Sequence, residues 1–360
     1  PALTTATSGD ELTVSSSKVN FVFNKKSGLV TSYKVDGTEY FKDGFGIQPN
    51  FWRAPNDNDY GNGAPKRLQV WKQSSKNFHV TDVKMTTENK VVSLKATYLL
   101  AAGNLYVVTY RIYPSGIVNV SAQFTSTDMQ AAETEVSEAT RMATFTPGID
   151  AARKAASKLE VPRIGVRFRL PAQMNNVQYF GRGPEENYID RNHGTLVGVY
   201  KTTADKMYFN YVRPQENGHH TDTRWIALSP DKGNGLAIVA DSLIGFNALR
   251  NSIEDLDSEE DLTPPYQWNN FSPEEVANHD EKAARNVLRR MHHVNDITPR
   301  DFVEVCVDMK QQGVGGYDSW GARPEPFHQI PANRDYSWGF TLVPVRSASQ
   351  ANEVAKYDYQ

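Results

Sequence analysis

The sequence predicts an all-β sandwich of antiparallel strands. Apolar and polar residues alternate with a period of two in more than a dozen segments, and turns containing Gly, Pro, Asn or Asp separate them. Long helical periods are few, which argues against repeated strand–helix–strand units. The strand spacing is too irregular for propeller blades, and the sequence has no internal repeat.

The first predicted strands form a β-meander. Val19, Phe21 and Phe23 alternate with polar residues, and a turn at 25–28 leads into a second strand at 29–35. The dipeptide Asp36-Gly37 then predicts a hairpin to a third strand at 38–41. Further strands are predicted at 78–83, 91–99, 105–113, 117–124, 164–170, 177–180, 224–228, 236–240, 302–309 and 336–345.

Two segments are predicted to be helical. Ser272, Pro273 and Glu275 have the pattern of a capping box, and an apolar face follows them, so we expect a helix over 273–290. A second, short helix is expected at 150–159. The acidic stretch 254–261 is expected to be a solvated loop.

Charge and composition exclude several classes of protein. The 39 basic and 42 acidic residues nearly cancel, so no bulk field favours a nucleic acid or an anionic membrane as partner. No apolar run is long enough to span a bilayer. The single cysteine, Cys306, excludes an intrachain disulfide and a cysteine-based metal site, and its alternating neighbours predict a buried strand residue.

We expect one large domain over 11–346. Residues 1–10 lack an initiating Met and a signal core, which is typical of a linker from an upstream domain, and 347–360 are expected to be a C-terminal tail. The compartment is left open between cytoplasm and periplasm.

The first charged loop, 51–61, contains an Asp-Asn-Asp run. An EF-hand counted from Asp57 would need Gly and Glu at its sixth and twelfth positions, where the sequence has Asn62 and Leu68. We therefore reject an EF-hand. Asp57 and Asp59 are instead expected to bond to backbone N–H groups or to Arg53.

The second and third loops are also rich in polar residues. Gly181 and Gly183 make only half of a dinucleotide fingerprint, so nucleotide binding is unsupported. The charged residues of this loop are expected to hold loops together through hydrogen bonds: Arg182, Glu185, Glu186, Asp190 and Arg191. In the third loop, which spans 211–225, the adjacent pair His219-His220 cannot easily face one metal ion.

The fourth loop, 313–321, is glycine-rich and includes Trp320. Its composition suits the presentation of one aromatic face to the C–H face of a sugar. The alternative is a tryptophan that closes the end of the sandwich. Composition does not separate these two interpretations.

Together and in this order, the four loops resemble the C-terminal, or small-chain, domain of the large bacterial β-galactosidases of glycoside hydrolase family 2. The resemblance covers residues 19–345. The matching stretches are RAPNDNDYG at 53–61, GRGPEENY at 181–188, YVRPQENG at 211–218 and GGYDSW at 315–320.

The resemblance implies a β-supersandwich of the galactose mutarotase type. It also implies a parent enzyme that hydrolyses terminal β-galactosides with retention, which requires two carboxyl groups about 5–5.5 Å apart. In the family these groups lie in an upstream (β/α)8 barrel. No catalytic residue is therefore expected in this chain, and no turnover by it alone.

Two sets of binding residues follow. The resemblance implies that Trp320 reaches the barrel's active site and stacks on sugar, positioned by Asp318 and Ser319. A possible sugar cleft on the concave sheet face is a weaker hypothesis, and a salt-bridged scaffold for the loops is its alternative. The cleft residues would be Arg53, Arg182, Glu216, Arg224 and Trp225.

Partners are implied by the same resemblance: a β-galactoside or galactose, the upstream barrel and immunoglobulin-like domains, and further copies in a homo-oligomeric parent. No cofactor and no metal ligand are expected in this domain. Magnesium and sodium are the ions that the resemblance associates with the parent enzyme.

The sequence departs from the family pattern at Tyr317, Ile189 and His219-His220, and 262–291 has the character of an insertion. Two alternative functions stay open. One is the small subunit of a two-chain β-galactosidase. The other is a free-standing carbohydrate-binding or mutarotase-like protein, for which no spacing pairs an acid with a base among His193, His220, Glu185 and Glu216.

Overall fold

A computed structural model describes residues 2–126, 159–257, 293–318 and 321–359. The helix expected over 273–290 and the insertion at 262–291 lie outside these ranges. So does the helix expected at 150–159, apart from its last residue. None of the helices in the described ranges is long and apolar enough to cross a membrane.

The described residues contain two antiparallel sheets. The first has five strands: β1 (Thr4–Ser8), β2 (Glu11–Ser15), β3 (Val19–Asn24), β4 (Leu29–Val35) and β5 (Thr38–Glu39). The second has twelve: β6 (Gln48–Asn50), β7 (His79–Glu88), β8 (Val91–Leu99), β9 (Leu105–Ile112), β10 (Val118–Phe124), β11 (Arg163–Pro171), β12 (Asn176–Gly183), β13 (Leu196–Thr203), β14 (His220–Ser229), β15 (Gly235–Leu249), β16 (Phe302–Gln311) and β17 (Tyr336–Val345).

Short helices connect some of these strands. In the described ranges the α-helices are α1 (Asp57–Gly61), α2 (Ala64–Arg67), α3 (Gln69–Ser74), α4 (Ala204–Met207), α5 (Ile253–Leu256) and α6 (Ala351–Val354). The predicted fold class, all-β with antiparallel sheets and few short helices, is confirmed. The strands β1, β2, β6 and β13 and the helices at 57–74 were not predicted.

The larger sheet branches at the 15-residue strand β15. Its first half pairs with β17 from Gly235 to Ala240, and its second half pairs with β16 from Gly245 to Leu249. One branch continues from β17 through β10, β9 and β8 to β7, and the other continues from β16 through β11 to β6. A long strand can thus belong to both layers of a sandwich.

Aromatic residues fill the space between the two branches. Phe51, which follows β6, lies edge-on to Tyr106 of β9 with ring centroids 5.0 Å apart. The Tyr106 hydroxyl donates to the carbonyl of Gly165 on β11 at 3.3 Å and accepts from the Trp338 indole at 3.1 Å. These contacts join the layers, and the buried tyrosine finds the polar partners that it needs.

The five-stranded sheet packs against the same core. The ring of Phe21 lies 5.5 Å from that of Tyr110 on β9. Two tyrosine hydroxyls anchor the sheet to the larger one: Tyr33 donates to Gly116 O at 2.6 Å and Tyr40 donates to Gly235 O at 3.0 Å. The meander predicted at 19–41 is therefore an integral layer of the domain.

Both chain ends hold regular structure. Strand β1 lies within the segment expected to be a linker and pairs with β2. The segment expected to be a C-terminal tail packs on the outer face of β14, β15 and β17, where Ala351 is fully buried. This outer cluster consists of Trp225, Ala227, Ala237, Val239, Val343, Val345 and Ala351.

Two local predictions have clear outcomes. Cys306 is a buried residue of β16, as predicted. The expectation of a solvated loop is wrong for residues 254–257, because their three carboxylates form ion pairs and Asp255 and Asp257 are buried. Glu254 pairs with Arg167 at 2.7 Å, Asp255 pairs with Arg300 at 2.5 Å, and Asp257 pairs with Lys72 at 2.7 Å.

Candidate functional site

The four charged loops meet in one place, which we call the four-loop cluster (residues 53–61, 181–191, 211–218 and 313–318). Its centre is the buried guanidinium of Arg53, which is 2% exposed. Arg53 donates to both carboxylate oxygens of Asp59, at 3.0 and 2.8 Å. This bidentate pair is the strong, charge-assisted kind, and it confirms the predicted bond between Asp59 and Arg53.

Helix α1 sets the position of Asp59. Asn56 is the N-cap residue, and its side chain accepts from the Asp59 backbone N–H at 2.8 Å. The Asp59 carboxylate in turn accepts from the Asn56 N–H at 3.1 Å. This reciprocal capping box fixes the carboxylate against the start of the helix, where Arg53 reaches it.

The first loop also holds the fourth loop. The remaining Arg53 donors bond to the carbonyls of Gln312 and Gly313 at 2.8 and 3.0 Å. The Asn58 amide donates to Val314 O at 3.1 Å. The backbone that leads towards Trp320 is therefore held by the loop at 53–61.

The second loop also forms hydrogen bonds to the backbone of the fourth loop. The Asp190 carboxylate accepts from the N–H groups of Val314 and Gly315, at 2.9 and 2.8 Å. Elsewhere in this loop, Glu186 accepts from Gly218 N–H at 2.6 Å and from Arg191 at 2.8 Å. Arg191 also donates to the Tyr211 hydroxyl of the third loop at 3.1 Å, so Glu186, Asp190 and Arg191 join loops as expected.

The third loop completes the cluster. The N–H of Glu216 donates to Ala54 O at 3.2 Å, and the Arg213 guanidinium lies 3.8 Å from the centre of the Tyr60 ring. Contacts thus link all four loops, although they are far apart in the sequence.

The fourth loop is fixed beyond its tip as well. Gly321 has φ +89°, and a Cβ there would lie 2.2 Å from the carbonyl carbon of Gly61, so only glycine fits. Arg323 donates to Glu160 at 2.8 Å, and Glu160 also binds Arg67 of α2. Both sides of the loop therefore rest on the segment 57–67.

Of the three proposed sugar-binding residues, Asp318 is the one within the described residues. Ser319 and Trp320 lie outside the described residues. Asp318 is exposed, and its carboxylate accepts from the Ala322 N–H at 3.2 Å across the tip. Tyr317 beside it is 76% exposed.

The five possible cleft residues are not brought together. Arg53 and Glu216 are buried in the four-loop cluster, and Arg182 pairs with Asp222 at 2.5 Å. Trp225, only 1% exposed, belongs to the outer cluster, and Arg224 lies 5.2 Å from the Phe180 ring beside it. The contacts of Arg53, Arg182 and Glu216 are those of a salt-bridged scaffold.

The two adjacent histidines face different partners. His219 Nδ1 lies 2.8 Å from Asn247 Oδ1, and His220 Nδ1 donates to Arg182 O at 2.9 Å. Burial lowers the pKa of both, that of His220 to about 4. Both imidazoles are therefore neutral at pH 7. In the described ranges, no three His, Cys, Asp or Glu residues group as metal ligands would.

A buried ion network lies beneath the cluster and was not predicted. Arg163 Nε lies 3.1 Å from Asp308 Oδ2, and Arg163 Nη2 lies 3.5 Å from Glu216 Oε1. Burial raises the pKa of Asp308 to about 7, although Arg163 opposes this. Arg163 lies just before the strand predicted at 164–170, so no prediction covered it.

Comparisons with known proteins identify the family of this chain. A family model described as the beta-galactosidase small chain matches residues 15–342. The chain is 32% identical over 348 residues to a beta-galactosidase of Priestia megaterium, covering 96% of this chain and 28% of that protein. It is 26% identical over 331 residues to a beta-galactosidase of Streptococcus thermophilus, covering 91% of this chain and 26% of that protein.

Among solved structures, a galactose mutarotase related enzyme from Lactobacillus acidophilus is similar, with a TM-score of 0.42 and 8% identity over 93% of this chain and 97% of that one. The chain spans about a quarter of the length of the curated relatives that it matches. Because the family model covers most of its residues, the chain belongs to the beta-galactosidase small chain family.

Proposed function

We propose that this chain is the C-terminal domain of a bacterial β-galactosidase of glycoside hydrolase family 2. In this proposal the two catalytic carboxylates lie in an upstream barrel, and Trp320 stacks on the bound galactoside there. The chain alone would not hydrolyse lactose. The share of each relative that it covers, about a quarter, supports a division of labour between domains.

The observation that carries the proposal is the anchoring of the fourth loop. Residues 312–315 are bound by Arg53, Asn58 and Asp190, and Gly321 and Arg323 are fixed on the other side of the tip. A short tip between two fixed ends can present an aromatic ring with little loss of entropy on binding, which suits a substrate-positioning role.

Exposed apolar side chains in and near the four-loop cluster support a partner domain. Val212 of the third loop is 92% exposed, and Phe209, just before that loop, is 51% exposed. Tyr317 adds an exposed ring on the fourth loop. Such a surface fits contact with another part of the same protein.

Substitution of Trp320 tests the function in the complete polypeptide that contains this chain. One stacked aromatic face contributes about 1 kcal/mol, so Trp320→Ala should raise KM for lactose about fivefold and change kcat less. Phe327→Ala, which removes an exposed ring from the neighbouring loop, is the control. An unchanged KM in Trp320→Ala, or lactose hydrolysis by the 360-residue chain alone, would overturn the proposal.

A further inference from the structure

A cavity of about 570 Å³ lies beside the outer cluster. Residues of β12, β14 and β15 line it, together with residues of α6 and of the segment that follows α6. Its volume is in the range of sites that bind small molecules. None of the residues that line it belongs to the four-loop cluster.

A bulge between two strands forms one side of this cavity. Between two cross-strand pairs, β14 contributes one residue, Arg224, and β15 contributes four residues, 240–243. All five of these residues line the cavity. A bulge turns side chains away from the alternation that a regular ladder imposes, so neighbouring residues of β15 can face one ligand.

Some of the residues that line the cavity are apolar. The Phe180 ring is half-buried, and Leu243 is 48% exposed. Trp225 lies edge-on to Phe180, with ring centroids 6.5 Å apart. The Arg224 guanidinium lies 5.2 Å from the centre of the Phe180 ring and donates to Asp222 O. A half-exposed aromatic ring of this kind can pack on the C–H face of a sugar.

Three polar side chains of the cavity can serve a ligand. Asp241, Ser242 and Asn352 are exposed and line the cavity. Within the described ranges, none of these three side chains has a hydrogen-bond or ion-pair partner. They provide a carboxylate, a hydroxyl and an amide, which can accept from and donate to the hydroxyl groups of a sugar.

The charges around the cavity favour a neutral ligand. Of its two cationic residues, Arg224 donates to a backbone carbonyl and Lys356 pairs with Glu353 at 2.7 Å. The Asp241 carboxylate would repel an anion, and the two cationic groups would repel a cation. An uncharged ring that carries hydroxyl groups has neither disadvantage.

We propose that this cavity is a carbohydrate site for a neutral hexose unit. The C–H face of the sugar would pack on Phe180, and its hydroxyl groups would bond to the three polar side chains. The proposal does not rest on the proposed function, because Trp320 is not among the residues that line the cavity.

Titration with galactose tests the proposal in the chain itself. With 5-fluorotryptophan in all six tryptophan positions, ¹⁹F NMR gives a resonance for Trp225, and Trp225→Phe identifies it. Galactose should shift this resonance to a saturating value and leave that of Trp71, which is buried in the main core, in place. If the Trp225 resonance does not move, or if inorganic phosphate moves it and galactose does not, the proposal is wrong.

The first variant removes the aromatic ring. Phe180→Ala should raise the Kd for galactose about fivefold, because one packed aromatic face is lost. Phe327→Ala removes an exposed ring outside the cavity, so it is the matched control and should leave the Kd unchanged.

The second variant changes an exposed position, so it reports on the site even where Phe180→Ala does not fold. Asp241→Asn should raise the Kd severalfold, because a carboxylate accepts stronger hydrogen bonds from hydroxyl groups than an amide does. Asp43→Asn, at an exposed position outside the cavity, should not change it. An unchanged Kd in Asp241→Asn and in folded Phe180→Ala would show that galactose binds elsewhere and would overturn the proposal.

Discussion

Arg163 is a single guanidinium shared by two buried carboxyl groups. Asp308 and Glu216 lie 3.1 and 3.5 Å from it, and all three side chains are almost completely buried. One cation cannot fully balance two anions in a poorly solvated interior, so one carboxyl group keeps its proton to a higher pH than usual. Asp308, whose pKa rises to about 7, is that group.

Asp308→Asn should change how stability depends on pH. The unfolded aspartate releases its proton near pH 3.9 and the folded one near pH 7, so this group loses stabilising effect as the pH rises between these values. The variant should therefore become more stable relative to the native chain from pH 4.5 to 7.5. Urea unfolding at four pH values measures this difference.

The control for that series is Asp43→Asn, because Asp43 is largely exposed and forms only a surface pair with Lys42. Its unfolding free energy relative to the native chain should not vary over the same range. A constant difference for Asp308→Asn would contradict the raised pKa.

Contacts between residues that are close in the sequence could be predicted from it, whereas contacts between distant residues could not. Arg53 and Asp59 belong to one motif, and their bond was predicted. The contacts of Asp190 with Val314 and of Arg163 with Asp308 depend on which strands become neighbours. No local pattern encodes that choice, so the four loops could be identified but not assembled.

At the scale of elements, α6 covers the outer cluster on β14, β15 and β17. Ala351→Glu would place a carboxylate in this apolar cluster, where burial removes much of its hydration. We expect a loss of about 2 kcal/mol or more in the free energy of unfolding, measured by urea titration. Asn352→Glu changes the adjacent, exposed position and should cost less than about 0.5 kcal/mol. Equal losses of unfolding free energy in the two variants would show that α6 does not cover the outer cluster.

Strand β3 was predictable because buried and half-buried residues alternate along it, which makes the period of two visible in the sequence. Strand β13 was not predicted because its apolar residues are exposed, which hides the alternation: Leu196 is 74% exposed and Val199 is 52% exposed. Helices α1 to α3 have four to six residues each, too few for a helical period. The tertiary contacts of Arg53 and Asp59 stabilise α1 instead.

At the scale of the whole molecule, the two sheets should unfold as one unit. The five-stranded sheet contains no tryptophan, yet Phe21 packs on Tyr110 and Tyr33 in the common core. Phe21→Ala should lower the free energy of unfolding by about 3–5 kcal/mol and shift the tryptophan fluorescence and far-UV circular dichroism transitions together.

Phe327→Ala, which removes a ring that is 72% exposed, should leave both transitions in place. A dichroism change that precedes the fluorescence change in Phe21→Ala would show that the smaller sheet separates from the rest before the core opens.

The single thiol, that of Cys306, is a natural probe of how often the core opens. Cys306 lies on a central strand, its side chain is within 3.9 Å of the Asn50 amide, and burial raises its pKa well above the usual range. A sulfhydryl reagent can react only when that strand leaves its neighbours, because the thiolate is the reactive form. The rate at which the reagent labels Cys306 therefore reports how often the interior opens, and no engineered probe is needed.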